Sequence, residues 1–154
     1  MPPPSLKARA LRLLAVREHT RAELHSKLAR KLGEDESEAD IARTLDALEQ
    51  AGLINEERAA ESLLHRRAAR FGSARVLRDL RAQGTPEPLI KQAAETLRET
   101  ELERARSVWQ RKFGTPPGDA QERARQMRFL AARGFSFEVA RRVLGSAADD
   151  DWQP

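Results

Sequence analysis

The stretch VLRDLRAQGTPEPLI, Val76 to Ile90, has an echo fifty residues on in QMRFLAARGFSFEVA, Gln126 to Ala140. In each, an apolar run reaches a leucine, Leu80 or Leu130. A glycine follows four residues later, Gly84 or Gly134, and an apolar position returns six after that, Ile90 or Ala140. Ala94 and Leu144 continue the pattern after four more residues. Apolar recurrence at three and four is the period of a helix buried on one face. A glycine just past such a run is a helix stop, because the left-handed conformation that ends a helix costs glycine least. Leu28 precedes Leu80 by 52 residues and also sits late in its helix. The three leucines mark the middle helices of three similar units.

Working outward, the remaining signals are also helical. Leu24 with Leu28, Ile41 with Leu45 and Leu48, and Ile90 with Ala94 and Leu97 keep the same period. Strand formers are scarce, with five Val and three Ile in the chain. Thr20 with Glu23 has the form of a capping box, and Ser37 with Asp40 resembles one. Asn55, Ser73, Thr85, Asp119 and Ser136 stand where N-caps are wanted, and Pro86 suits a first helical position. Gly33, Gly52, Gly72, Gly84, Gly114, Gly134 and Gly145 follow helical patterns and read as stops. Nine helices are expected, at about 6–18, 21–32, 38–51, 56–71, 74–83, 86–98, 100–113, 120–133 and 137–144. The sixth and seventh can run together, since nothing between Leu97 and Leu102 breaks a helix. The fold class is therefore all-α. It consists of three tandem three-helix repeats, helix-turn-helix-like in form and elongated or curved overall, each touching mainly its neighbours. The expected segmentation is a disordered start at 1–5, units at 6–54, 55–98 and 99–145, and a disordered acidic tail at 146–154 that carries Trp152. Phe129, Phe135 and Phe137 are expected in the core.

Composition narrows the function. The 154 residues contain no Cys, which excludes disulfides and thiolate metal sites. No uninterrupted apolar run is longer than Leu13–Val16, far short of a membrane span or a signal-peptide core. A cytoplasmic monomer is the expectation. His19, His25 and His65 form no metal-binding spacing, and there is no phosphate-cradling glycine loop or nucleophile elbow. Glu95 with Arg98 and Glu101 with Arg104 read as solvated, ion-paired helix faces. No catalytic residue, cofactor or metal is expected, and the chain reads as a binding protein rather than an enzyme.

The basic residues are more informative. Only five of the 28 Lys and Arg are Lys, although the formal net charge is just +4. Between 65 and 82 stand Arg66, Arg67, Arg70, Arg75, Arg78 and Arg81 against the single acid Asp79. Arg75 and Arg78 share a helix face, while Val76, Leu77 and Leu80 point elsewhere. Such a stripe suits phosphates or an acidic protein surface. A second cluster comprises Arg123, Arg125, Arg128, Arg133, Arg141 and Arg142, and a third Lys7, Arg9, Arg12 and Arg17. Aromatics are sparse among them, with Phe71 in the first cluster and Phe129, Phe135 and Phe137 in the second, so base stacking is not indicated. Residues 20–54 also read like the start of a winged-helix regulator. A wing needs a β-hairpin, however, and NEERAAESLLHRR from Asn55 is helical. The would-be recognition helix carries Asp40, Asp46 and Glu49 against one Arg, Arg43, which opposes phosphate contact.

The stretch MRFLAARGFSFEV at 127–139, followed by RRVL at 141–144, resembles the C-terminal signature of the RecX family of bacterial recombination regulators. GLINEERA at 52–59, RRAARFGSARVLRDLRAQG at 66–84 and ALRLLAVREHTRAEL at 10–24 are similar to earlier parts of that family, so the likeness covers about 6–145. Family members usually carry an aromatic where this chain has Ala59. The resemblance implies three tandem three-helix repeats and no catalytic residues. It also implies a non-enzymatic negative modulator that binds the RecA filament on DNA, inhibits its ATPase and strand exchange, and limits filament growth. DNA would then be a weak or within-filament contact. The contact residues expected are Arg66, Arg67, Arg70, Arg75, Arg78 and Arg81, then Arg128, Arg133, Arg141 and Arg142. The alternative is a direct DNA-binding protein of helix-turn-helix type with no recombinase partner.

Overall fold

Two capping boxes start the helices that organise the N-terminal part of the chain. Thr20 accepts the Glu23 amide at 3.1 Å while Glu23 accepts the Thr20 amide at 3.1 Å. Ser37 and Asp40 make the same reciprocal pair at 3.3 and 2.8 Å. Asn55, Asp119 and Ser136 accept the amides of Arg58, Glu122 and Val139, as N-caps should. In a computed structural model that describes the backbone of residues 2–150 and side chains through Gly145, the helices are α1 Leu6–Val16, α2 Arg21–Arg30, α3 Glu38–Gln50, α4 Glu56–Arg67, α5 Ser73–Ala82, α6 Glu87–Lys112, α7 Ala120–Ala132 and α8 Phe137–Asp150. No strand occurs among the described residues. The segment after Asn55 is helix α4, where a wing would need a hairpin.

The repeat is visible atom by atom. After α5, the Thr85 amide reaches Leu80 O at 3.0 Å and the Gly84 amide reaches Arg81 O at 3.0 Å. After α7, Phe135 reaches Leu130 O at 3.1 Å and Gly134 reaches Ala131 O at 3.0 Å. This is the same paired closure of a helix end, fifty residues apart, and both glycines are left-handed (φ 82 and 95). Leu28, Leu80 and Leu130 are all buried, as their matched positions require.

Several expectations need correction. The helices expected at 86–98 and 100–113 are one helix, α6, so the described residues hold eight helices and not nine. Gly33, Gly72 and Gly145 are not left-handed. Gly145 lies within α8, which continues to Asp150, because a glycine with ordinary φ costs a helix only about 1 kcal/mol. Residues 151–154, the end of the acidic tail, lie outside the described residues, as does Met1. Ser73 is the first residue of α5 rather than its cap, and Thr85 Oγ1 accepts the Gln83 side chain at 3.1 Å.

The chain forms two compact units. The first comprises the residues up to Ser62 with Leu80–Leu89, and the second Leu63–Asp79 with Ile90 onward. Within the first, α1, α2 and α3 bury Leu6, Ala10, Leu24, Leu28, Ile41, Leu45 and Leu48 together. Truncating one of these leucines to Ala is worth about 2–5 kcal/mol. Thr20, fully buried, also donates its hydroxyl to the Gln83 carbonyl. Within the second, Ala105, Val108, Trp109, Leu130, Phe135, Ala140, Val143 and Leu144 form the core. The buried Trp109 indole donates to Gln126 at 2.8 Å, and Gln126 in turn donates to Thr115 O at 3.2 Å. Phe135 is buried and Phe129 partly so. Phe137 is not in the core: it is 72% exposed at the first position of α8, at the rim of an open groove lined by α7 residues.

Candidate functional site

The turn that follows α4 is tied down by its carbonyls. A helix C-terminus leaves several C=O groups without helical partners. Here Arg104, from the middle of α6, donates to Ala68 O at 2.8 Å and Phe71 O at 2.7 Å. It also donates to Leu97 O at 3.0 Å and Ser73 Oγ at 3.2 Å. Arg111, two turns further on, donates to Ala69 O at 3.1 Å. Burial lowers the Arg104 pKa, with Glu101 opposing, yet a guanidinium stays charged at any ordinary pH. Glu101 to Arg104 is therefore not the solvated ion pair that its spacing suggests, because Arg104 turns inward to the carbonyls.

The other side of the same turn meets the end of α7. The Gly72 amide donates to Arg133 O at 2.8 Å. A Cβ on Gly72 would come within 2.2 Å of the Gly134 carbonyl carbon and the Phe135 nitrogen. Gly72 is thus required for close approach of two backbones, not for a left-handed φ. These ties set Phe71 at the centre of a cluster of cations. The guanidinium carbons of Arg75, Arg67, Arg133 and Arg70 lie 4.1, 4.5, 5.4 and 5.8 Å from the centre of its ring. Each such contact is worth about 0.5–2 kcal/mol and holds the cation without neutralising it. Arg67 alone of the four pairs with a carboxylate, Asp79, at 2.9 Å. Among the described residues, no carboxylate pairs with Arg70, Arg75 or Arg133. At roughly 10 Å such charges repel by some tenths of a kcal/mol per pair in water, which an anion would relieve.

A notch lies beside this cluster. It has a volume of about 260 Å³ and is lined by Arg70, Arg111, Lys112, Arg133, Val108 and Phe129. Lys112 and Arg133 stand over the Phe129 ring at 5.5 and 5.1 Å, and Phe113 meets its edge at 5.3 Å between centres. Of the residues expected at the site, the structure thus brings together Arg67, Arg70, Arg75 and Arg133. Arg66 is exposed on α4, Arg78 and Arg81 are exposed along α5, and Arg141 and Arg142 are exposed on α8. Arg128 belongs to a different groove, with Arg123, Met127 and Phe137. Arg104, read in the sequence only as half of an ion pair, joins the site with Arg111 and Lys112, which the sequence did not single out. The only available sign of them was their position on a helix long enough to reach the α4 turn.

The first unit treats its basic residues differently. Arg9 pairs with Glu36 at 2.5 Å, Arg17 with Glu23 at 2.8 Å, Arg21 with Asp46 at 2.7 Å and Arg58 with Glu18 at 3.0 Å. Burial works to raise the Glu23 pKa, but hydrogen bonds from Arg17 and the Thr20 amide outweigh it and hold the carboxyl below its usual range. His19 is buried beside them. Its Nδ1 donates to Arg17 O at 3.0 Å and its Nε2 accepts from Lys27 Nζ at 2.9 Å, an arrangement that only the neutral ring can make. Burial depresses its pKa accordingly. Among the described residues, no group of three His, Cys, Asp or Glu is placed to hold a metal, and no helix is long and apolar enough to cross a membrane.

Fold and site define an all-helical protein of small three-helix units, with clustered cations held mostly by neutral partners in the second compact unit. The family models for the first and third three-helix domains of RecX match residues 7–48 and 99–144. The chain is 53% identical over 140 residues to the regulatory protein RecX of Leptothrix cholodnii, covering 91% of this chain and 87% of that protein. It is 43% identical to the regulatory protein RecX of Ralstonia nicotianae, covering 99% and 96%. The crystal structure of RecX from Lactobacillus salivarius superposes with a TM-score of 0.72 at 18% identity, covering 93% of this chain and 94% of that one. The chain belongs to the RecX family.

Proposed function

We infer that this protein is a negative modulator of the RecA recombinase, one that binds the RecA filament on DNA and inhibits its ATPase, strand exchange and growth. Family membership as a regulatory protein supports the partner. The observation that carries the contact surface is the Phe71 cluster, where Arg70, Arg75 and Arg133 keep their charge because a ring, not a carboxylate, holds them. Such charges attract an acidic protein surface or phosphates and speed encounter with either. Arg66, Arg78, Arg81, Arg128, Arg141 and Arg142, all exposed, extend the basic surface available to the filament. The segmentation that goes with this reading puts the three units at 6–54, 55–98 and 99–145. Repeated units on one chain give the filament more than one contact, each raising the effective concentration of the next. The protein acts as a cytoplasmic monomer in this reading.

The same uncompensated arginines favour a second reading, direct DNA binding with no recombinase partner. Salt separates the two, since phosphate-dominated binding with six to ten contacts falls by about 10³–10⁵ between 50 and 200 mM. The test is ATP hydrolysis by RecA on single-stranded DNA with this protein in rising amounts, alongside its own DNA binding at the same salt. Inhibition below one molecule per RecA protomer, in salt that abolishes direct DNA binding, is the expected result. No inhibition at equimolar amounts, with DNA binding intact, would give the second reading the lead.

A further inference from the structure

We propose that the notch between Arg70, Arg111, Lys112 and Arg133 is a binding site for a multiply charged phosphate group, a compact polyphosphate or a terminal phosphate. Its lining holds four cations and no carboxylate. Each cation is positioned by a neutral partner. Arg111 is tied to the Ala69 carbonyl at 3.1 Å and to the Ser107 carbonyl at 3.4 Å. Lys112 lies over the Phe129 ring, Arg70 over Phe71, and Arg133 over both. The side chains are thus pre-placed while their charge is left unspent, which is the arrangement an anion site needs.

The dimensions narrow the ligand. Drug-sized pockets run to about 300–1,000 Å³, so a notch of about 260 Å³ suits a small anion better than a nucleotide with its base. The floor points the same way. Lys112 and Arg133 stand over the Phe129 ring and Phe113 meets its edge, so the ring is already engaged and offers no free platform for a base. Four converging positive charges are matched better by a group carrying two or more negative charges than by a single phosphodiester with one. Arg133 belongs both to this notch and to the Phe71 cluster, so occupancy of the notch would also draw charge away from that face. This goes beyond the RecA reading and does not depend on it.

The experiment is a thermal-unfolding titration of the full chain with inorganic tripolyphosphate, run against sodium chloride at matched ionic strength. A saturable rise in Tm is expected with tripolyphosphate and not with chloride. Lys112→Gln, an exposed substitution, and Arg111→Gln should each weaken that binding by about tenfold, the loss of one charge-assisted contact. Lys7→Gln and Lys91→Gln, which remove the same charge elsewhere, should leave it unchanged. No saturable rise, or an equal loss in the Lys7 and Lys91 variants, would overturn the site in favour of diffuse screening. Oligonucleotides with and without a 5′-phosphate distinguish the sources. Tighter binding of the phosphorylated strand, with the difference erased by Lys112→Gln, makes a nucleic-acid end a natural ligand. No difference, with tripolyphosphate binding intact, leaves free polyphosphate. If the unphosphorylated strand competes with tripolyphosphate and loses affinity equally in Lys112→Gln, the ligand is the phosphodiester backbone and the preference for a multiply charged group is wrong.

Discussion

The two compact units use arginine in opposite ways. In the first, Arg9, Arg17, Arg21 and Arg58 spend their charge on Glu36, Glu23, Asp46 and Glu18, and the ion pairs brace neighbouring helices. In the second, Arg70, Arg75 and Arg133 surround Phe71 without a carboxylate, and Arg104 spends its donors on carbonyls. The residue type is the same, and its greater number in the second unit does not by itself leave it unpaired. What differs is the neighbour: acids interleave the first 62 residues, whereas Asp79 stands alone among the basic residues of 66–81. A charge already paired stabilises the fold and has little left for a partner. A charge held by a ring or a carbonyl remains available.

Substitutions can break this contrast, and the largest effect should come from the backbone that supports the cluster. Gly72→Ala forces a Cβ to within 2.2 Å of the Gly134 and Phe135 backbone, so the two segments must separate. We expect a loss of about 3 kcal/mol or more, read as a fall in the urea midpoint, together with loss of inhibition. Arg104→Leu should come next. It strips the partners from the carbonyls of Ala68 and Phe71, at a cost of about 2–3 kcal/mol by the same measurement. In the first unit, Arg17→Gln removes the partner of Glu23 and should cost about 1 kcal/mol while leaving RecA inhibition intact. Loss of inhibition in a folded Arg17→Gln protein would show that the paired arginines also serve the partner.

The smallest effect concerns pH. His19 has its pKa depressed by burial, so the unfolded chain takes up its proton first as pH falls. Its contribution to stability is complete above the unfolded value of about 6.5 and drains away as pH drops through the window below it. Glu56, whose pKa is raised by burial, works in the opposite sense. The difference between wild type and His19→Gln isolates the histidine. Denaturation midpoints of the two proteins should converge between pH 7 and pH 5, and parallel curves would show that His19 does not titrate with folding.

The repeat was legible in the sequence because it rests on local rules. Leu80 with Gly84 and Leu130 with Gly134 announce their helix ends through spacing alone, and Thr20 with Glu23 announces a helix start. The arginine run from Arg66 was legible too, as charge density. What could not be read is where each side chain finds a long-range partner. Arg104 sits three residues after Glu101, the spacing of a surface ion pair, yet it turns to carbonyls more than thirty residues earlier in the chain. Phe137 follows Phe135 in a motif that looks like core, but one step along the chain entry to α8 turns it outward. Gly72 resembles every other helix stop, and its reason lies in Gly134, a residue of another helix end. Lys112 and Arg133 become neighbours only because α6 and α7 pack together, which no local pattern encodes.

The most direct test is RecA ATP hydrolysis on single-stranded DNA in the presence of two charge-reversed proteins of equal net charge. One carries Arg75→Glu and Arg133→Glu, in the cluster held by Phe71. The other carries Arg9→Glu and Arg12→Glu, in the unit whose basic residues are largely paired. Circular dichroism must first show both folded. The cluster variant should need about tenfold more protein for half-inhibition, as expected for losing at least one charge-assisted contact, and the first-unit variant should inhibit like wild type. Equal inhibition by both, or a loss confined to the first-unit variant, would contradict the claim that the uncompensated arginines are the surface this protein presents to its partner.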